Sequence, residues 1–296
     1  MNYSETFCNF LIQEHYSDST ISEHTASIRR FEAWAQGSGY SSITQMTYTE
    51  ILHYVQEEKK RGVKTQSINL RLNSLRLYYN HLREEGVRTD NPAKRIRIKG
   101  AVKTVTQDVL SYSELEALYY QYAHYSESKQ VNNPQHGYAQ KRNTAILGLL
   151  IFQGVQSGEL SKLTTDHLNL KTGTLYIPSG SRSNSRELKL EPLQMVPLHT
   201  YLNETRPQLK PTDEALFTGD ILQVVNYIVK ELQGLNQLIK NAQQIRTSVL
   251  VYWLKKHGKR QVQYMAGHKH ISSIERYEKQ DMEKLTDQLG KHHPFG

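Results

Sequence analysis

The spacing of apolar residues constrains this chain most, because it follows a helical period almost everywhere and changes to a strand-like period in one stretch. Residues 65–87 read TQSINLRLNSLRLYYNHLREEGV, with the helix-ending glycine at position 86. Five apolar or aromatic side chains recur there every three or four positions, which places them on one face of a helix. They are Ile68, Leu72, Leu75, Tyr79 and Leu82. The pattern predicts a mainly α-helical protein.

The first third of the chain repeats this pattern in two further segments. SDSTISEHTASIRRFEAWAQGSG at 17–39 and TYTEILHYVQEEKKRGV at 47–63 each open on residues that cap helices and stop at glycine. A polar, Gly-containing segment then follows, with five Lys or Arg between positions 94 and 103. We therefore predict a helical N-terminal domain over residues 1–97 and a basic linker over 98–108.

A second domain is expected over residues 109–296. LSYSELEALYYQY at 110–122 and KRNTAILGLLIFQG at 141–154 predict helices, and helical patterns resume from residue 219. Between them, TGTLYIPSGSRSNSRELKLEPLQMVPL at 172–198 alternates polar and apolar residues around a Ser/Gly/Asn turn. This alternation predicts a small antiparallel sheet, so the second domain is expected to be α+β. A C-terminal tail helix is predicted from the spacing of Met282, Leu285 and Leu289.

Charge and cysteine content restrict the partners and the compartment. The chain has 37 Lys and Arg against 29 Asp and Glu, a net charge of +8, which favours a polyanionic partner or else serves as solubilising surface charge. The lone Cys8 excludes an internal disulfide, and no Cys/His cluster has zinc spacing. No apolar run reaches bilayer length, and the N-terminus lacks a basic region before its apolar stretch. These features favour a cytoplasmic protein without a membrane partner or metal site.

Four segments, in order, resemble the tyrosine recombinases, the family of phage integrases and Xer-type enzymes. They are SINLRLNSLRLYYNHLREEGVRTDNPAKRI, LSYSELEALYYQY, GVQSGELSKLTTDHLNLKTGTLYIP and QQIRTSVLVYWLKKHGKRQVQYMAGHKHISSIERY, and together the resemblance covers nearly the whole chain. The resemblance implies an N-terminal core-binding, SAM-like domain and a catalytic domain with a small sheet. It also implies double-stranded DNA and other protomers assembled on DNA as partners.

The resemblance implies a reaction in which a tyrosine attacks a DNA phosphodiester and forms a 3′-phosphotyrosyl link. The ester keeps the bond energy, so neither ATP nor another cofactor is needed. Three positions match the family pattern: Tyr277 as the nucleophile, His268 in the GH pair and Arg246 as the second arginine. Gln156 stands where the family has its first arginine. Gln243 stands at the position, three residues before the second arginine, where the family has a histidine.

The hairpin lysine of the family has no direct counterpart. Its position falls within SGSRSNSREL, where Arg182 and Arg186 occur, and Lys189 is the nearest lysine. Arginine neutralises a phosphate but is a poor proton donor. Arg182 and Lys189 are therefore candidate catalytic residues, whereas Arg186 is a candidate DNA contact. Glu159 resembles a family acid that braces a neighbouring arginine, and we assign it no chemistry.

Other residues are candidate DNA contacts. Asn69, Arg71, Asn73 and Arg76 have the side chains that read or grip DNA and fall largely off the apolar stripe of their helix. The basic residues in and beside the linker would add sequence-independent, salt-sensitive affinity for DNA. These are Lys94, Arg95, Arg97, Lys99 and Lys103. The alternative for every charged residue here is a solvated helix face, and for the SRSNSR turn a flexible hairpin tip.

Each catalytic candidate also has a structural interpretation. Tyr277 is one of 19 tyrosines, most of which pack or lie on the surface in any protein. Arg246 could instead satisfy acidic or backbone neighbours near a helix start. The sequence therefore leaves three alternative functions. The chain is a catalytically active, site-specific recombinase, or a DNA-binding architectural or regulatory partner with a degenerate site, or a helical protein–protein adaptor.

Overall fold

The computed structural model describes residues 3–99, 108–128, 133–181, 183–211 and 213–277. The chain divides into two compact units, Met1–Lys103 and Thr104–Gly296, and each has its own apolar core. Most of the expected 98–108 linker and the whole expected tail helix lie outside the described residues.

The N-terminal unit is built from helices alone in its described part. They are α1 (Tyr3–Gln13), α2 (Asp18–Gly37), α3 (Tyr48–Lys60) and α4 (Thr65–Glu84), with a 3-10 turn at Ile43–Gln45. The apolar stripe of α4 is buried at each of its five positions. Tyr79, within that stripe, donates a hydrogen bond from its hydroxyl to the carbonyl of Ile43 at 2.7 Å. The helical N-terminal domain is confirmed.

The second unit combines helices with one small sheet. Its helices are α5 (Tyr112–Ser128), α6 (Pro134–Phe152), α7 (Ser157–Leu160), α8 (Pro192–Thr200), α9 (Arg206–Gln208), α10 (Ile221–Leu235), α11 (Ala242–Lys256) and α12 (Lys259–Ala266). A π-helical turn, Tyr201–Thr205, joins α8 to α9. The C-terminal half of α6 is buried on all sides, as its density of apolar residues predicts, and most of α11 is buried as well although half of its buried stretch is polar. None of the helices in the described ranges is long and apolar enough to cross a bilayer.

The sheet has three antiparallel strands in the order β1 (Leu168–Asn169), β2 (Thr174–Ile177) and β3 (Arg186–Lys189). Ile177 pairs with Arg186 where the β2–β3 hairpin opens into its tip. The expected sheet is therefore present, but the alternating stretch ends early, since residues 192–200 form α8. Pro192 explains this difference, because proline fits the first turn of a helix and interrupts a strand.

Candidate active site

Arg246 lies at the centre of the candidate site and is fixed by backbone carbonyls. It follows the first turn of α11, whose N-cap Asn241 accepts a hydrogen bond from the backbone of Gln244 at 2.8 Å. The Arg246 side chain is 3% exposed. Its Nη1 donates to the carbonyl of Gly154, and its Nη2 donates to the carbonyl of Ala266 at 2.7 Å. The loop after α6 and the C-terminal end of α12, which are distant in the chain, therefore hold one guanidinium.

Gln244, beside Arg246, anchors the start of α11 through its side-chain amide. It is fully buried, and its oxygen accepts from the backbone of Lys240 at 2.6 Å. Its nitrogen donates to the carbonyls of Asp108 at 2.9 Å and Leu238 at 3.0 Å. The buried, hydrogen-bonded amide of Gln244 thus fixes the start of α11 and with it the backbone position of Arg246.

Gln156, at the first-arginine position, contacts Arg246 directly. With its amide oriented so that the oxygen faces Arg246, that oxygen lies 3.2 Å from Nη2 and 3.3 Å from Nε. Its backbone N–H donates to Glu159 at 2.9 Å, which caps α7. The glutamine therefore accepts from the arginine of this site and leaves its own NH₂ group as a neutral donor.

The carboxylate of Glu159 lies between two arginines, Arg186 and Arg246. Arg186, at the start of β3, forks onto it, with Nη1 at 2.7 Å from Oε1 and Nη2 at 2.9 Å from Oε2. Arg246 Nη1 lies 3.8 Å from the same carboxylate. Burial raises the pKa of Glu159, but the hydrogen bond and charge of Arg186 and the charge of Arg246 outweigh it and lower the pKa. Glu159 is therefore ionised at neutral pH.

The imidazole ring of His268 lies next to the guanidinium of Arg246. Its Nε2 is 3.4 Å from Arg246 Nη2, and its Nδ1 is buried without a hydrogen-bond partner among the described residues. Burial, followed by the charges of Arg246 and Arg186, lowers the pKa of His268 to about 4. The ring is therefore neutral at pH 7. Because Arg246 only donates, Nε2 accepts and Nδ1 carries the proton.

Tyr277 completes the cluster from a helical segment at 272–277. Its ring packs against the core of the second unit and stacks near His268, with centroids 6.2 Å apart and an angle of 26°. Burial, partly offset by Glu159, lowers the pKa of Arg246 to about 10, and Tyr277 is close enough to act in the opposite direction. Arg246 stays charged at pH 7, so a cation, a neutral imidazole and a phenol meet here.

The turn that carries His268 is bound to the tip of the β2–β3 hairpin. Asn184 donates from its backbone to the carbonyl of Gly267 at 2.9 Å, and Ser183 forms a β-bridge with His268. Lys269 Nζ donates to the carbonyl of Ser181 at 2.9 Å. No local sequence pattern indicates these contacts, which join segments more than 80 residues apart.

Other predicted catalytic residues lie apart from this cluster. Gln243 is exposed at the start of α11, and Lys189 is exposed on the strand face opposite Arg186. No contact of either side chain with Arg246, His268 or Tyr277 is present among the described residues. Arg182 lies outside the described residues. Arg186 corrects the sequence prediction, because a side chain with no exposed surface, paired with Glu159, is not available to contact DNA. Its two-residue spacing from the apolar Leu188 puts both side chains on one face of β3, a signal that can be used only once the strand register is known.

Five of the candidate DNA contacts of the N-terminal unit line one groove of about 540 Å³; they are Asn69, Asn73, Arg76, Lys94 and Arg97. Asn69 is committed to the backbone of Ile98, and Arg76 donates to Ile96 at 3.1 Å. Asn73, Lys94 and Arg97 are exposed.

The remaining predicted contacts are dispersed. Arg71 pairs with Glu58 of α3. Arg95 and Lys99 are exposed, and Lys103 lies outside the described residues.

Comparison with known proteins agrees with both units. A family model described as phage integrase, N-terminal SAM-like domain, matches residues 5–86. The chain is 24% identical to the tyrosine recombinase XerC of Bacillus subtilis, covering 99% of this chain and 96% of that protein. It is 28% identical to the TnP I resolvase of Bacillus thuringiensis, over 68% of this chain and 67% of that protein.

Solved structures share the fold. The XerH site-specific recombinase bound to palindromic difH substrate in a post-cleavage complex has a TM-score of 0.71 at 16% identity, covering 91% of this chain and 78% of that chain. A lambda integrase dimer bound to a COC′ core site has a TM-score of 0.63 at 16% identity, covering 93% and 75%. The phage integrase family model itself matches residues 124–284, more than half of the sequence and the whole cluster around Arg246. This chain belongs to the phage integrase family of tyrosine recombinases.

Proposed function

We propose that this protein is a site-specific DNA recombinase that cleaves and rejoins DNA through Tyr277. The phenol oxygen would attack a backbone phosphorus, the Tyr–O–P bond would form and the bond to the 5′ oxygen would break. The phenol loses its proton and the leaving 5′ oxygen gains one. A second 5′ hydroxyl then reverses the step on another strand. The observation that carries this proposal is the meeting of Arg246, His268 and Tyr277 from separate segments in one cluster.

Each group in the cluster suits a part of this reaction. Arg246 supplies a charged donor for a non-bridging oxygen, where negative charge grows in the transition state. His268, neutral with its proton on Nδ1, supplies a second donor. The NH₂ group of Gln156 supplies a third, weaker because it is uncharged. Gln243 and Lys189 remain proposed contributors whose contacts with the cluster would form when DNA is bound, and Arg182 remains a proposed contributor that lies outside the described residues.

DNA binding is proposed to use both units. Lys94, Arg95, Arg97 and Lys99 are exposed and would meet phosphates, and Asn73 would face the duplex from the groove. Lambda integrase is bound to its core site as a dimer, and this protein would likewise act on double-stranded DNA with further copies of itself. A DNA substrate and a single cysteine fit the cytoplasm. Family membership favours DNA over the adaptor alternative.

A second candidate function is a DNA-binding partner that does not cleave. Gln156 and the exposed Gln243 favour it, since two ionisable positions of the family are amides here. Losing one charged transition-state donor costs about a hundredfold to a thousandfold in rate. The two candidates differ in one product, a covalent protein–DNA adduct.

The experiment begins with a duplex selected from random sequences by binding to the Tyr277→Phe protein, so that selection does not depend on cleavage. A nicked version of this duplex would trap a cleaved strand. We expect a covalent adduct with the natural protein and with Tyr176→Phe, an exposed tyrosine of β2 as matched control, but none with Tyr277→Phe. An adduct that survives in Tyr277→Phe would refute the assignment.

A Gln156→Arg/Gln243→His variant separates the two candidates. If only this variant forms the adduct, the natural chain is the non-cleaving partner. If both form it, the natural site is active and the variant reports how much rate the two amides cost.

A further inference from the structure

Arg186 is a buried cation that the reaction described above does not use. Its side chain has no exposed surface, and a buried charge is stable only when it is paired and hydrogen-bonded. Two of its nitrogens fork onto Glu159, while its Nε is buried without a partner among the described residues. Arginine at this strand position therefore has a specific electrostatic purpose, since an apolar residue would fill an inward β3 position at lower cost.

Glu159 explains what that purpose is. Its carboxylate lies between two guanidinium groups, bound closely to Arg186 and 3.8 Å from Arg246. With both arginines present, one positive charge remains after the carboxylate is neutralised. Without Arg186, Glu159 would neutralise Arg246, and nothing in the position-156 amide would replace the lost charge.

Gly267 shows that the His268 turn is built around the same guanidinium. It has a φ of +66°, and a Cβ added there would lie 2.5 Å from Arg186 Nη1. The same turn accepts a hydrogen bond from Asn184 of the hairpin tip. Arg186 therefore touches both the acid that holds Arg246 and the turn that presents His268.

We propose that Arg186 is a positioning residue that neutralises Glu159 and thereby leaves the charge of Arg246 available to the DNA phosphate. In this chain the second positive charge of the site is supplied from the start of β3 instead of the start of α7, where Gln156 stands. The inference rests on the proposed function, but its electrostatic content is testable on DNA binding alone.

The test removes charges singly and in a balanced pair. Arg186→Met leaves Glu159 free to neutralise Arg246, and we expect the rate of adduct formation to fall about a hundredfold, the scale of one lost charged donor. Glu159→Gln/Arg186→Met removes both charges and restores the surplus on Arg246, so we expect most of that rate to return. Arg142→Met is the matched control. Arg142 is a half-buried arginine of the same unit that binds Asn143 and the carbonyl of Thr218.

A second readout does not depend on cleavage. In the Tyr277→Phe background, each central phosphate of the selected duplex is replaced in turn by an uncharged methylphosphonate. We expect one position to weaken binding about tenfold for the parent and the Arg142→Met protein, little for Arg186→Met, and about tenfold again for the double variant. Thermal melting shows which variants are folded, and the double variant, whose net charge in the cluster equals that of the parent, covers the case in which Arg186→Met is not.

The outcomes separate the two proposals. A parent that forms no adduct refutes cleavage, and the methylphosphonate series then still decides the role of Arg186. If Arg186→Met keeps the parent's full penalty, or if the double variant fails to recover both readouts, Arg186 is only a structural residue and the inference is wrong.

Discussion

Both units contain a buried glutamate between two arginines, yet the two clusters differ in where their charge is exposed. In the N-terminal unit, Glu58 pairs with Arg71 and, at 3.5 Å, with Arg61, and these arginines are 21% and 68% exposed. Water and salt can screen their charge. In the second unit, Arg186 and Arg246 have almost no exposed surface.

The difference shows that the same residue types can form a solvent-screened link between helices in one unit and a buried, unscreened charge cluster in the other. An unscreened charge acts on its neighbours: burial lowers the pKa of His268 most, and the charges of Arg246 and Arg186 lower it further. The N-terminal cluster, by contrast, joins α3 to α4. The chain has one tryptophan in each unit, Trp34 and Trp253, so fluorescence can report the two units separately.

The largest expected effect comes from removing each central carboxylate. Glu159→Gln leaves two buried guanidinium groups without a counter-charge, and we expect the unit reported by Trp253 to lose about 3–5 kcal/mol. Glu58→Gln leaves arginines that water can solvate, so the unit reported by Trp34 should lose about 1 kcal/mol. Urea unfolding of each variant measures both, and equal losses would contradict the comparison.

A smaller effect is expected from two glycines with left-handed backbone. Gly62 has a φ of +76° and open space around it, so Gly62→Ala should cost about 1 kcal/mol of backbone strain. Gly267→Ala adds a collision with Arg186, and we expect about 2–3 kcal/mol in the second unit. It should also lower the rate of adduct formation, whereas Gly62→Ala should not. Similar losses in both units would show that the guanidinium moves aside freely.

Acid should act more on the second unit than on the first. Because the folded pKa of His268 is about 4, below its ordinary 6.5, the unfolded chain binds a proton there that the folded chain excludes. Stability is therefore fully present above pH 6.5 and falls as the pH drops from 6.5 towards 4. The Trp253 transition in urea should shift over this range, and His268→Asn should reduce the shift. Burial also lowers the pKa of His24 in the N-terminal unit, without a comparable charge cluster, so the Trp34 transition should change less.

The smallest effect concerns the exposed Lys and Arg side chains of the N-terminal unit. Arg97→Ala should weaken binding to specific and non-specific duplexes alike, because a phosphate contact carries no sequence information. The slope of log affinity against log salt should become shallower by about one. Binding titrations at several salt concentrations measure it. An unchanged slope would place Arg97 away from the duplex.

Periodicity predicted the helices well, because burial of a stripe such as that of α4 needs only a regular spacing. It failed where a local rule competed with it, as at Pro192, where alternation continued but a helix began. The site was predicted in part. Arg246, His268 and Tyr277 each stand in a recognisable segment, so their meeting could be expected from the resemblance.

Arg186 could not be placed in the same way. Its place depends on strand register, since a shift by one residue would turn the side chain to solvent. The sequence marks the hairpin as an Arg- and Ser-rich turn, but it does not state which arginine faces inward. The contact of Gln156 with Arg246 likewise depends on tertiary packing that brings residues 90 positions apart together, which no local pattern encodes.

The anchoring of α11 by Gln244 has a consequence for how ionic conditions would affect the protein. An uncharged amide bound to three backbone groups does not respond to counterions. The exposed Lys and Arg side chains that would bind a duplex do respond to them. Rising ionic strength should therefore release the nucleic acid while the arrangement around Arg246 persists. Inhibition by salt would then be reversed fully on dilution, as loss of occupancy and not as damage to the catalytic framework.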